Sequence, residues 1–308
     1  MKVGKAGTLA GTPPSRRNMT AKPGPLVSGE WLASHLGDAD LRLIHVSIDR
    51  KRFDQGHLPG AIFVDLHADL AKSGRRRETG SAERQYMVPT RRDVTEALVR
   101  WGVTAGSRIV FYDDAGQNRH AIRGYWLLRL YGFPRERLHV LDGGLTVWQA
   151  LGRRTTAETV EPVPAGATVP LKDLDQSLIA TADEVLAWSR EAAVAGGPTR
   201  LLDVRSVDEF LGRDVRAARG GRIAGSRHRL FSDFVAADGQ LRPAADALAI
   251  LRGGGVKPEE LRATYCQGGV RAALAWFVLH ELAGLTEVRN YAESWEEWGN
   301  RPDLPVEN

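Results

Sequence analysis

The chain has 308 residues, 43% hydrophobic and 26% charged, a soluble globular balance with length for two domains of ordinary size. This composition excludes collagen-like, disulfide-stapled and wholly disordered chains, and one cysteine can form neither an internal disulfide nor a Cys-x-x-Cys metal clamp. The formal charge is +4, but residues 1–24 hold Lys2, Lys5, Arg16, Arg17 and Lys22 with no acid, so nucleic-acid binding by the remainder has no electrostatic support.

Residues 1–24 read as a disordered, solvated basic leader without the apolar core of an export signal. A first α/β unit is expected over 25–154. Leu43-Ile-His-Val46 is a strand, and the run from Lys72 to Arg77, with Arg75, Arg76 and Arg77, reads as a solvated loop. Arg108-Ile-Val-Phe-Tyr-Asp-Asp114 is a second strand, a polar loop follows, and Trp126 to Gly132 belongs to a helix.

Thr155 to Leu171, with Pro162, Pro164, Gly166 and Pro170, marks a linker. A second α/β unit fills 172–308. Leu201-Leu-Asp-Val204 repeats the first strand, and Arg222-Ile-Ala-Gly-Ser226 repeats His57-Leu-Pro-Gly-Ala61. Leu261 to Cys266 is again a strand, and Ala272 to Gly284 a helix. Gly132 and Gly284 lie 152 apart, which aligns Asp114 with Cys266 and Arg119 with Arg271. Only the second copy can then be a thiol enzyme. Short strands alternating with helices imply parallel sheets covered on both faces. The longest apolar stretch, Ala272 to Leu279, is far below the roughly 20 residues that span a bilayer, so no membrane role is expected.

A lone cysteine is by base rate a small buried hydrophobe. Cys266 instead ends a strand just before a helix, at the sheet edge where open α/β sheets bind ligands. Gly268 and Gly269 permit a left-handed curl that turns backbone N–H groups inward, and the helix N-terminus adds its own donors. Such a cradle favours an anion. Arg271 adds a permanent charge that suits an anionic donor, although a salt bridge is its plainer role. This chemistry calls for no metal or organic cofactor.

Tyr265-Cys-Gln-Gly-Gly-Val-Arg-Ala272 resembles the active-site loop of the rhodanese family, and Gly56-His-Leu-Pro-Gly-Ala61 is similar to its Gly-His-Ile-Pro-Gly-Ala stretch. Asp203-Val-Arg205 and Glu293-Ser-Trp-Glu-Glu-Trp-Gly299 are similar to two further family motifs, so the likeness runs from Leu26 to Gly299. The resemblance implies two tandem rhodanese-like domains, each a small parallel sheet flanked by helices, the first non-catalytic and the second catalytic. It implies a ping-pong sulfurtransferase in which Cys266 takes a sulfane sulfur as a persulfide and passes it to cyanide or a thiol, small or on a protein. Gln267, Gly268, Gly269, Val270 and Arg271 would bind the small anionic donor. The family's donor-binding arginine falls on Glu209, which leaves Arg205, Arg213, Arg219 and Arg222 as candidates. Asp203 and Arg205 also read as a buried supporting pair.

Gly268 and Tyr86 stand where mercaptopyruvate enzymes carry Ser and His, which favours thiosulfate over mercaptopyruvate as donor. A sulfur-carrier or redox interaction protein is the reading of another class. A Cdc25-like phosphatase fits least, since the family loop there is seven residues preceded by His, against six preceded by Tyr265 here. His57 and His228 are weaker candidates for proton transfer, and Trp295 and Trp298 read as core anchors. A cytoplasmic monomer is expected from the single reduced thiol and the duplicated chain.

Overall fold

The computed structural model describes residues 23–74, 84–166 and 169–308, without the side chains of 73–74 and 84–86. Residues 1–22 of the basic leader and Arg75 to Arg77 lie outside the described residues, as does the side chain of Tyr86.

In the first half five strands, β1 (Leu26–Val27), β2 (Leu41–Ser47), β3 (Ala61–Asp65), β4 (Arg108–Asp113) and β5 (Leu138–Leu141), form a parallel sheet in the order β1-β5-β4-β2-β3. β2 and β4 are apolar on both sides because both faces are covered. Leu41, Leu43, Val110 and Tyr112 pack with Phe53, Leu58 and Trp148, whereas Ile44, Val46, Ile109 and Phe111 pack with Leu98 and Trp126 on the other face. Helix α1 (Arg119–Leu130) follows β4 and is buried along nearly its whole length.

The second half repeats this plan with β6 (Leu201–Asp203), β7 (Arg227–His228), β8 (Ala263–Tyr265), α2 (Val270–Trp276) and β9 (Arg289–Asn290), the strands parallel in the order β7-β6-β8-β9. That matches β3-β2-β4-β5, and a parallel bridge between Ile179 and Asn290 stands in for β1. The expected α/β architecture of two small parallel sheets is therefore what the chain adopts.

Register corrects one alignment made from the sequence. Tyr112 pairs with His45 of β2, and Tyr265 with Asp203 of β6. The Tyr112 hydroxyl accepts the Leu58 N–H and the Tyr265 hydroxyl accepts the Ile223 N–H, each at 3.1 Å. The counterpart of Cys266 is thus Asp113, not Asp114. The spacing of 152 misleads because the loop before α1 is longer than the loop before α2, while α2 runs into a π-helical turn, Phe277–Leu282, that inserts a residue further on.

The two halves share one apolar core across α1 and α2, where the Tyr125 ring meets Phe277 edge-on at 4.9 Å. Glu281, buried at 1% side-chain exposure, accepts from Arg129 at 3.0 Å and Arg135 at 2.6 Å of the first half. A buried carboxylate with two cations is strongly committed to that geometry, so the domains are held at a fixed spacing. Among the described residues no helix is long and apolar enough to cross a membrane.

Candidate active site

Cys266 follows the last residue of β8 and is 1% exposed. Gly269 caps α2 in the left-handed region, φ +76°, and a β-carbon there would meet the Ala292 carbonyl at 2.5 Å. Gly269 alone makes the left-handed turn expected of the glycine pair; Gly268 is not among the residues with positive φ. The loop is clamped from the other side by the Glu293–Glu296 turn. Cys266 N–H donates to Ser294 Oγ at 3.0 Å, while Trp295 and Glu296 N–H groups donate to the Cys266 and Gln267 carbonyls. Ser294 itself sits at φ +51°, an unfavourable backbone for a residue with a β-carbon. Its Oγ, which also donates to the Tyr291 carbonyl at 2.7 Å, holds it there.

The first half shows what such a strand-loop-helix junction holds. Asp113 sits where Cys266 does, and its Oδ2 accepts the His120 and Ala121 N–H groups of α1 at 2.9 and 3.2 Å, its Oδ1 that of Ala115 at 3.2 Å. A carboxylate fills the anion cradle of this copy. Asp114, one residue on, instead accepts from Ser47 Oγ at 3.0 Å and faces His45 at 3.8 Å.

Cys266 opens into a cleft of about 380 Å³ between the halves. Gln267, Gly268, Val270 and Arg271 line it with Arg216 and Phe231, and Ile48, Leu66, His67, Arg119 and His120 come from the first half. Arg271 is less free than expected, because both its terminal nitrogens donate to Glu209, at 2.6 and 2.8 Å. Burial alone would raise the Glu209 carboxyl, but the Arg271 hydrogen bonds and charge outweigh it and hold the group at about 2. Against burial, the same bonds and the Cys266 charge hold Arg271 above its usual range. Arg123, fully buried under the cleft, is pushed down to about 10 by burial, with the charges of Cys266 and Glu293 opposing. Cys266 therefore lies within the field of two cations from different halves.

The other arginine candidates do not meet at the cleft. Arg205 is buried on Asp203 at 2.6 Å, under the Trp295 ring at 4.4 Å, which is the supporting pair expected. Arg219 donates to the carbonyls of Trp298, Gly299, Arg301 and Leu304, fastening the C-terminal segment. Arg222 pairs with Glu307 at 3.3 Å, and Arg213 with Asp208 at 2.9 Å. His57 is buried between the Phe53 and Glu158 carbonyls, and His228 bonds the Arg205 carbonyl. Sequence reasoning missed Arg119 and His67, because it treated the first domain as a spectator, and Arg216 and Phe231, which lie outside every motif of the second domain. The one signal was Arg119, which the repeat set beside Arg271.

Removing the Ser294 hydroxyl tests the clamp. Ser294→Ala strands the Cys266 N–H and keeps the strained backbone, so a loss of about 1–3 kcal/mol in urea unfolding is expected. Ser294→Gly relieves the backbone and is expected to cost less.

Residues 28–151 and 181–301 each match the rhodanese-like domain. The chain belongs to the rhodanese family. Among curated relatives of this rhodanese, a putative thiosulfate sulfurtransferase of Haloferax volcanii is 33% identical over 92% of this chain and 96% of that protein. The thiosulfate sulfurtransferase of Corynebacterium glutamicum is 33% identical over 93% and 91%, and the sulfur carrier protein TtuD of Thermus thermophilus 30% identical over 93% and 97%. Among solved structures, an anaerobic ergothioneine biosynthesis enzyme of Chlorobium limicola superposes with a TM-score of 0.75 at 24% identity, covering 92% of this chain and 70% of that one, a likeness of fold.

Proposed function

We propose that this rhodanese is a sulfurtransferase that carries sulfur on Cys266 as a persulfide, with thiosulfate as its donor. The Cys266 thiolate attacks the outer sulfur of thiosulfate, the S–S bond breaks, and its electron pair leaves with sulfite. Cyanide or a thiolate then attacks the outer persulfide sulfur and the Cys266 thiolate is regenerated, so charge and sulfur balance in each half-reaction. The observation that carries the reading is the Asp113 carboxylate seated in the N–H cradle of the sister copy: the junction that holds Cys266 is built for an anion. The names of the relatives at 33% identity point the same way.

Thiosulfate is favoured over mercaptopyruvate because Gly268 and Tyr86 cannot form a Ser-His proton relay, and a dianion whose leaving group is sulfite needs none. In this reading the first domain, 25–154, is catalytically silent, 155–171 is a linker, and 172–308 carries the chemistry, in a reducing cytoplasm that keeps the lone thiol free.

Intact-mass measurement tests it: the purified chain should gain one sulfur atom from thiosulfate and lose it to cyanide. No uptake from thiosulfate would sink the donor assignment. Uptake only from a partner protein's persulfide would instead select a sulfur carrier, the role that the name of the Thermus relative suggests.

A further inference from the structure

We propose that Arg119, from the catalytically silent first domain, seats the anionic end of the sulfur donor in the cleft over Cys266. The inference rests on the sulfurtransferase reading and adds the residue that recognises the donor.

Charge pairing around the cleft singles it out. Arg271 is doubly bonded to Glu209, and Arg216 bonds Asp214 at 2.7 Å and stands 3.9 Å from Glu209. Each of these cations thus has its own carboxylate. Arg119 has no carboxylate within ion-pair distance among the described residues. Its Nη1 donates to Gln117 Oε1 at 2.7 Å and its Nε to His120 Nε2 at 3.3 Å, both neutral acceptors. One edge of the guanidinium is left to bind an oxyanion. Burial, reinforced by the Arg119 charge against the pull of Asp113, holds His120 below its usual range, so the imidazole stays a neutral acceptor that aims the guanidinium.

The same side chain reaches the second half. The Arg119 guanidinium stands 5.8 Å from the ring centre of Phe231, and both line the cleft with Cys266. The N–H groups of α1 just beyond Arg119 are spent on Asp113, so what this helix end offers the cleft is the Arg119 side chain. The ligand is an anionic group joined to a transferable sulfur: the sulfonate-like end of thiosulfate or the carboxylate of an α-keto thiol. Two domains are needed because the nucleophile and the recognition charge come from different copies.

Alkylation of Cys266 gives a readout that does not need turnover. Iodoacetate and iodoacetamide both transfer a two-carbon group to the thiolate with loss of iodide, but only iodoacetate is charged. Arg119→Gln is expected to lower the iodoacetate-to-iodoacetamide rate ratio about fivefold or more, with Arg119→Lys in between. In steady state, Arg119→Gln should raise the thiosulfate KM about tenfold or more with kcat and the cyanide KM little changed. A matching rise for mercaptopyruvate marks a seat shared by both anions, and a rise for one donor alone marks that donor. An unchanged alkylation ratio in a folded Arg119→Gln protein overturns the proposal even if sulfur transfer is intact. If the wild-type chain takes no sulfur from any small donor, yet Arg119→Gln lowers the alkylation ratio, the sulfurtransferase reading is overturned and the anion seat stands.

Discussion

Cys266→Ser is expected to abolish thiosulfate-to-cyanide transfer, by at least about 1,000-fold, while leaving the fold intact. The side chain is 1% exposed and packs in the shared core, and Oγ for Sγ is a small change in volume, so melting should shift little. Serine keeps a hydroxyl in place but not a group that takes up sulfur as a persulfide. Intact mass after thiosulfate should show no added sulfur. Residual turnover above a few per cent would mean that another group carries the sulfur and would remove Cys266 from the mechanism.

Glu209→Gln should have the largest effect on stability. The carboxyl falls from an ordinary 4.5 to about 2 in the folded chain, a shift corresponding to about 3 kcal/mol favouring the fold when ionised. Because the folded value is the lower one, that contribution is complete above pH 4.5 and is lost as pH falls toward 2. Urea unfolding at pH 7 should therefore show a loss of about 3 kcal/mol in Glu209→Gln, since the half-buried Arg271 charge is left without its partner. The difference between variant and parent should shrink below pH 4.5. A difference that stays constant from pH 7 to pH 3 would refute the ion pair as its source. Activity carries a second message: an Arg271 released from Glu209 adds an unpaired cation beside Cys266, so thiosulfate KM should fall even as the protein weakens.

The site was legible to different depths. The strand-loop-helix form of Cys266 to Arg271 was readable because its signals are local: a strand-ending cysteine, a glycine at a turn, a helix start. The partner of Arg271 was not, because Glu209 lies 62 residues away and its sequence neighbourhood is an ordinary capped helix start, Ser206 with Glu209. The same holds for Arg219, a donor-binding candidate in the sequence, which is spent on backbone carbonyls near the C-terminus. Asp113 was displaced by one residue because periodic helix ends were used to count back across a loop whose length differs between the copies.

By itself the sequence determined the class and the duplication: two parallel α/β units, one thiol, its loop and its family, since these follow from periodicity, turn residues and short motifs that act within a few residues. Only the tertiary structure decided which charges remain available. Whether an arginine is a ligand or a strut depends on which carboxylates and carbonyls the fold brings within a few ångströms, and that is set by the packing of α1 on α2 across the domain boundary. This is why Arg271, prominent in the motif, turns out neutralised by Glu209, while Arg119, in the copy without a thiol, lines the same cleft as Cys266 with no carboxylate of its own among the described residues.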